Sequence, residues 1–166
     1  LNPSGEAPTN AWKAFYIDTS SKPKKVAKTE VVDRVSVNYA WSDLEGIKSE
    51  NFAGYWVGNW EFDEPTTWNL GVSQGWSKSR IIIDNMLVYE GGNSAEVSFD
   101  FSAGTHQIEV EYLNNWHTVD FVVTFGPEVE RLKKAALPAW LQKEGLQDYP
   151  LVLASVYESG NFDTRI

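Results

Sequence analysis

Apolar and polar residues alternate through much of this chain. In residues 31–41, Val35, Val37 and Tyr39 fall on one side, and Arg34, Ser36 and Asn38 on the other. A period of two marks a half-buried strand. The same period returns at Val97, Phe99 and Phe101 against Ser98 and Asp100. It returns again at Ile108, Val110 and Tyr112 against Glu109 and Glu111, and at Val119, Phe121, Val123 and Phe125 against Asp120 and Thr124. Residues 52–62 predict a long strand that turns at Asp63-Glu64-Pro65 and comes back as a hairpin through residues 68–72. Residues 80–84 and 86–89 predict a second hairpin, turning at Asp84-Asn85, and residues 12–17 a first strand. The segments 19–28, 42–51, 73–79, 90–94 and 114–117 read as loops, and Ala103-Gly104-Thr105 as a turn. Short strands separated by regular turn signals predict an all-β fold, an antiparallel sandwich or a barrel.

After Gly126-Pro127 the period changes. Val129, Leu132, Lys133, Ala136, Leu137, Trp140 and Leu141 fit a 3.6-residue repeat. Pro127 and two acids at its start and Gly145 past its end fit helix termini, and Pro138 predicts a kink. This helical segment, over residues 128–146, can cover a sheet edge or connect to a further domain. Residues 151–158 read as one more strand, and the turn residues before Ile166 suggest that the natural protein continues. The expected organisation is a tail at 1–10, a sandwich at 11–125, and a helix with a closing strand at 126–166, packed on the same domain.

Composition narrows the function classes. The chain has 166 residues and no cysteine, which excludes disulfide staples and thiol chemistry. It starts at Leu1, as a processed or excised fragment does, and no apolar run is long enough to span a bilayer. The net charge is −9. An acidic body repels phosphate backbones, so nucleic acid is not an expected partner. The lysines at 22, 24, 25 and 28 read as a solvated loop. His106 and His117 are the only histidines, neither at metal-ligand spacing, and no Gly-rich phosphate loop follows a strand. No serine–histidine or paired-carboxylate arrangement is evident, so no catalytic residue is expected.

Four motifs, in order and spacing, resemble PA14-like domains. Residues Phe52-Ala53-Gly54-Tyr55-Trp56-Val57-Gly58 are similar to the family's aromatic–Trp-x-Gly strand. Asp63-Glu64-Pro65-Thr66-Thr67-Trp68 is similar to its acidic turn. The stretch from Arg80 through Ile83-Asp84-Asn85 to Val88 is similar to its Ile-Asp-Gly hairpin, with asparagine in place of glycine. The stretch from Phe101 through Ala103-Gly104-Thr105-His106 to Tyr112 is similar to its Ala-Gly-x-His stretch. The resemblance implies a β-sandwich of the kind found in bacterial toxins, adhesins, glycosidases and fungal lectins, with sugar binding as its commonest activity. Lectins of the family hold calcium with two adjacent aspartates before the arginine–hydrophobic strand. That pair falls here on Trp76 and Ser77, with Lys78 beside them, and a hard cation needs charged oxygen ligands. No cofactor is therefore expected; calcium is possible only without its usual ligand pair.

The candidate ligand-binding residues lie in two polar loops that the resemblance places at one end of the sandwich. They are Gln74, Trp76, Ser77 and Lys78, and Asn114, Asn115, Trp116 and His117. Indoles can stack on the apolar face of a sugar while amides bind its hydroxyls. Alternatively, Trp76 folds back to cap the core and Trp116 packs on the helix after Pro127. Among Trp56, Trp60 and Trp68, at least one is expected to fill the core. The expectation is a non-catalytic, glycan-binding module of a secreted, periplasmic or cell-surface bacterial protein. The alternative is a structural or protein-interaction module of a pilus, adhesin or secretion assembly, whose partner is a surface protein.

Overall fold

Ten strands carry the fold: β1 (Trp12–Asp18), β2 (Lys25–Val32), β3 (Val35–Ala40), β4 (Phe52–Phe62), β5 (Thr66–Gln74), β6 (Ser77–Ile83), β7 (Met86–Gly91), β8 (Ala95–Phe101), β9 (Gly104–Asn114) and β10 (Thr118–Pro127). A computed structural model of the chain describes residues 3–127. The chain divides into two units between Gly126 and Pro127. The helical segment 128–146 and the strand 151–158 expected from the sequence lie outside the described residues.

The strands form two antiparallel sheets. One has six strands in the order β2-β1-β4-β9-β6-β7, the other four in the order β3-β10-β5-β8. The expected sandwich is what forms. Its core lies between the sheets: Trp12, Phe52, Trp56, Ile81, Ile83, Ile108 and Val110 from the larger sheet meet Val35, Leu70, Phe101, Phe121 and Val123 from the smaller. Alternate residues of each strand supply this layer, as the period of two requires.

The central strand β4 explains the aromatic–Gly pattern. Its even positions face inward. A Cβ on Gly54 would meet the Trp56 ring at 2.4 Å, so the buried indole is accommodated only because residue 54 has no side chain. A Cβ on Gly58 would meet the Ala11 carbonyl oxygen at 2.2 Å. Trp56 is fully buried, while Trp60 and Trp68 pack on the core from its margin.

Four expectations of local structure change. Residues 19–28 are not all loop: β2 begins at Lys25 and forms the edge of the six-stranded sheet. Its lysines suit that edge, since charge discourages further strand pairing. The single strand expected at 31–41 is broken at Asp33-Arg34, where the chain leaves one sheet for the other. β4 and β5 are not hairpin partners; β5 pairs with β8, from Thr66↔Phe101 to Val72↔Ala95. The acidic turn at 63–65 thus carries the chain between sheets. Finally, residues 7–10 do not trail as a tail. Asn59 N donates to Pro8 O at 2.8 Å, Asn10 N donates to Asn59 O at 2.7 Å, and Ala7 packs on a second cluster of Phe15, Tyr55 and Val57.

Candidate ligand-binding rim

The expected loop 73–79 is almost entirely strand. β5 runs to Gln74 and β6 starts at Ser77, leaving Gly75-Trp76 as a two-residue crossover between the sheets. Gln74 makes this tightness possible. Its side chain is buried, and its Nε2 donates to Asn93 O at 3.0 Å, Gly91 O at 3.2 Å and Tyr89 Oη at 3.2 Å. Its Oε1 accepts from Ser77 Oγ at 2.9 Å. With both strand ends pinned, the residue between them is pushed outward.

The second turn is held the same way. Asn114, also buried, donates from Nδ2 to Trp116 O at 2.6 Å and to Ser49 O at 2.7 Å, while its Oδ1 accepts from Tyr112 Oη at 3.1 Å. Ser49 Oγ donates to His117 O, and Ser49 N donates to Trp41 O at 2.7 Å. Asn115 N donates to Trp76 O at 3.0 Å. The turns around residues 41–49, 75–76 and 115–117 therefore meet at one end of the sandwich, tied through Ser49 and Asn114. Burial raises the Tyr112 phenol pKa above its ordinary value, so its hydroxyl stays a donor to Asn114.

Of the eight expected site residues, Gln74, Ser77 and Asn114 are buried and bonded into the scaffold. Trp76, Lys78, Asn115, Trp116 and His117 are at the surface. Trp76 is 70 % exposed, so it does not cap the core, and Trp116 is 41 % exposed. The two indoles stack at 5.2 Å with planes 24° apart, and His117 covers Trp116 at 4.4 Å. The three rings form one pile, with Trp116 between Trp76 and His117. Lys78 lies across the strands from Leu113 and, with it, lines a shallow groove of about 350 Å³ on the outer face of the larger sheet. Ile17, Ala53 and Tyr55 also line that groove, and the Arg80–Glu111 ion pair, at 2.5 Å, borders it.

The rim has a third exposed indole, one that the alternation of residues 31–41 does not set apart. Trp41 is 81 % exposed, in the turn after β3. It looked like the last residue of an alternating strand. The only signal in the sequence was its position directly before Ser42-Asp43, where a turn begins.

At the opposite end, Asp84, His106 and Ser102 stand in a serine–histidine–aspartate order. His106 Nδ1 donates to Asp84 Oδ2 at 2.5 Å, and Ser102 Oγ is 3.3 Å from Nε2. Yet Nε2 donates to the Ser102 carbonyl oxygen at 2.7 Å. Both ring nitrogens therefore face acceptors, the Asp84 carboxylate and the Ser102 carbonyl oxygen, and these contacts favour the charged ring. The arrangement clamps the turn at Asp84 to the turn at Ser102.

No model of a known protein family matches the sequence, and no curated protein matches it. Solved structures do match the fold. An anti-sigma factor domain-containing protein from Clostridium clariflavum superposes with a TM-score of 0.58 at 18 % identity over 70 % of this chain, which spans 42 % of that protein. The PA14 domain of MpAFP antifreeze protein superposes with a TM-score of 0.54 at 16 % identity, covering 72 % of this chain and 83 % of that one. An epithelial adhesin A domain from Candida glabrata, solved with β-lactose, gives 0.52 at 9 % identity, covering 71 % and 80 %. These likenesses identify the fold: the two antiparallel sheets form a PA14-like β-sandwich.

Proposed function

We propose that this chain is a non-catalytic binding module that grips neutral glycans on the indole pile of its rim, without calcium, as part of a secreted or cell-surface bacterial protein. The observation that carries this reading is Trp76: a large apolar ring, 70 % exposed, on a turn whose Trp76 carbonyl accepts from Asn115 N and whose ends are tied by the bond between Gln74 and Ser77. Exposing such a ring gains nothing for folding. Held rigidly, it offers a flat face for a sugar at little cost in ordering. Asn115 and His117, exposed beside it, supply hydroxyl partners. Gln74 and Asn114 act by holding the turns, not by touching ligand. The adhesin domain solved with β-lactose shares the fold, which is consistent with this use of it.

The test is a glycan array followed by calorimetry on the best binder, with and without chelator. Trp76→Ala is expected to lose roughly tenfold or more in affinity, the scale of one aromatic contact. Trp116→Ala is expected to lose less, because it only supports Trp76. Chelator is expected to change neither. Absence of saccharide binding, or a Trp76→Ala variant that binds like the parent, refutes the reading.

A second reading, a protein-interaction module of a pilus, adhesin or secretion assembly, is favoured by one observation. The outer face of the six-stranded sheet carries the apolar groove at Ile17, Ala53, Tyr55 and Leu113, and exposed Val26 and Val31 stand on its edge strand. Retention of a surface protein that is lost with Leu113→Lys, and kept with Trp76→Ala, supports this second reading.

A further inference from the structure

We infer that Trp41 is a second aromatic platform of the same rim, and that the rim takes an extended, neutral oligosaccharide chain and not a single terminal sugar. The inference rests on the glycan-binding reading of Trp76.

Trp41 combines two features that folding alone disfavours. Its indole is 81 % exposed, the most of any large apolar side chain among the described residues. Its backbone sits at φ +60°, a left-handed conformation that bulky side chains rarely adopt. No ring contact or side-chain hydrogen bond engages the indole among the described residues. Strain of this kind persists where surrounding structure imposes it, and it concentrates at binding sites. The surroundings here do impose it. Ser49 N holds the Trp41 carbonyl, and Tyr39 Oη donates to Ile47 O at 3.1 Å. Ile47 is buried beneath the loop, and Lys28 reaches Glu45 at 3.3 Å. The indole is thus presented from a fixed turn, as Trp76 is.

The two turns share one knot. Ser49 bonds Trp41 on one side, and Asn114 and His117 on the other; Asn115 then bonds Trp76. Trp41 has no ring contact with the Trp76–Trp116–His117 pile, so the platforms are separate. A ligand that meets both must reach from one turn to the other, as a chain of sugars does. Lys48 and Lys78 are exposed, and so are Asp43, Glu50 and Asp120. Charge of both signs favours a neutral polymer over an anionic lipid surface, which draws clustered basic residues.

The experiment is calorimetry on the 166-residue chain with β-linked gluco- and galacto-oligosaccharides of increasing length, from disaccharide to about hexasaccharide. Affinity of the parent is expected to climb roughly tenfold with length, as a second aromatic contact forms. Trp41→Ala is expected to lose that gain and keep disaccharide affinity, and Trp76→Ala to lose both. Trp41→Gly, which relieves the left-handed backbone, is expected to melt at the same temperature or higher. A Trp41→Ala variant that follows the parent at every length overturns the inference. So does a Trp41→Gly variant that melts several degrees lower, or binding to phosphatidylcholine vesicles that depends on Trp41. In those cases disaccharide binding lost with Trp76→Ala leaves the glycan reading standing. A parent that binds no saccharide removes both.

Discussion

His106 shows how a single side chain can couple stability to pH in this molecule. Partial burial pulls its pKa down, but hydrogen bonds to Asp84 and the Ser102 carbonyl, with the Asp84 charge, outweigh that and leave it raised. A raised folded-state pKa contributes stability that is fully present below the unfolded value, about 6.5, and is lost as pH rises through the folded value. Denaturant unfolding is therefore expected to show stability declining from weakly acidic to weakly alkaline pH. His106→Gln is expected to flatten that decline and to cost roughly 1–3 kcal/mol at the acid end, where charge-assisted bonds are lost. A decline of equal slope in the variant would assign it to another group. The residue scale is also where the sequence was least legible. That His106 faces Asp84 across 22 positions, or that Gln74 and Asn114 turn inward among carbonyl oxygens, depends on pairings that local pattern does not encode. Exposed tryptophans in polar loops were legible at residues 76 and 116. Trp41 was not, because alternation continues into it and only its φ reveals the turn.

At the scale of elements, alternation located nearly every strand, because a strand between two sheets must send every second residue into the core. It did not reveal which strands pair. Residues 52–62 and 66–74 are neighbours in sequence and belong to different sheets; the turn at Asp63-Glu64-Pro65 suits a crossover as well as a hairpin. Edge strand β2 was missed because most of it is exposed and because Ala27, the extra residue between the pairs Tyr16↔Lys28 and Ile17↔Val26, breaks its period of two. The Gly54–Trp56 pair gives a prediction at this scale. Gly54→Ala places a Cβ inside the Trp56 ring and is expected to cost about 1–3 kcal/mol by overpacking, read from chemical denaturation. Trp56→Phe destabilises by itself, and the double variant is expected to be more stable than the sum of the two losses. Strict additivity would show that the ring moves aside at no cost.

For the whole molecule, the two faces of the larger sheet differ in what covers them. The inner face is closed by the four-stranded sheet. On the outer face Phe15, Tyr55 and Val57 are buried with Ala7 packed against them, and the pairing of residues 8–10 with Asn59 fixes that segment in place. Deleting residues 1–10 is therefore expected to lower the melting temperature by several degrees and to raise binding of a hydrophobic dye, as the cluster opens to water. An unchanged melting temperature would mean that the segment rides on the sheet without supporting it. Sequence composition alone suggested a tail here: Pro3, Gly5 and Pro8 are turn formers, and the segment contributes a single isolated bridge and no strand.

The division between buried anchors and exposed rings at the rim has an evolutionary consequence. Ser49 and Asn114 bind backbone atoms of the turns and Gln74 ties the end of β5 to Ser77, whereas Trp41, Trp76, Asn115 and His117 lie exposed on those turns. A mutation in the second group changes what the rim meets without touching the knot or the core. Descendants of this scaffold can thus change the chemistry of the rim through a few neutral steps, with folding held constant throughout.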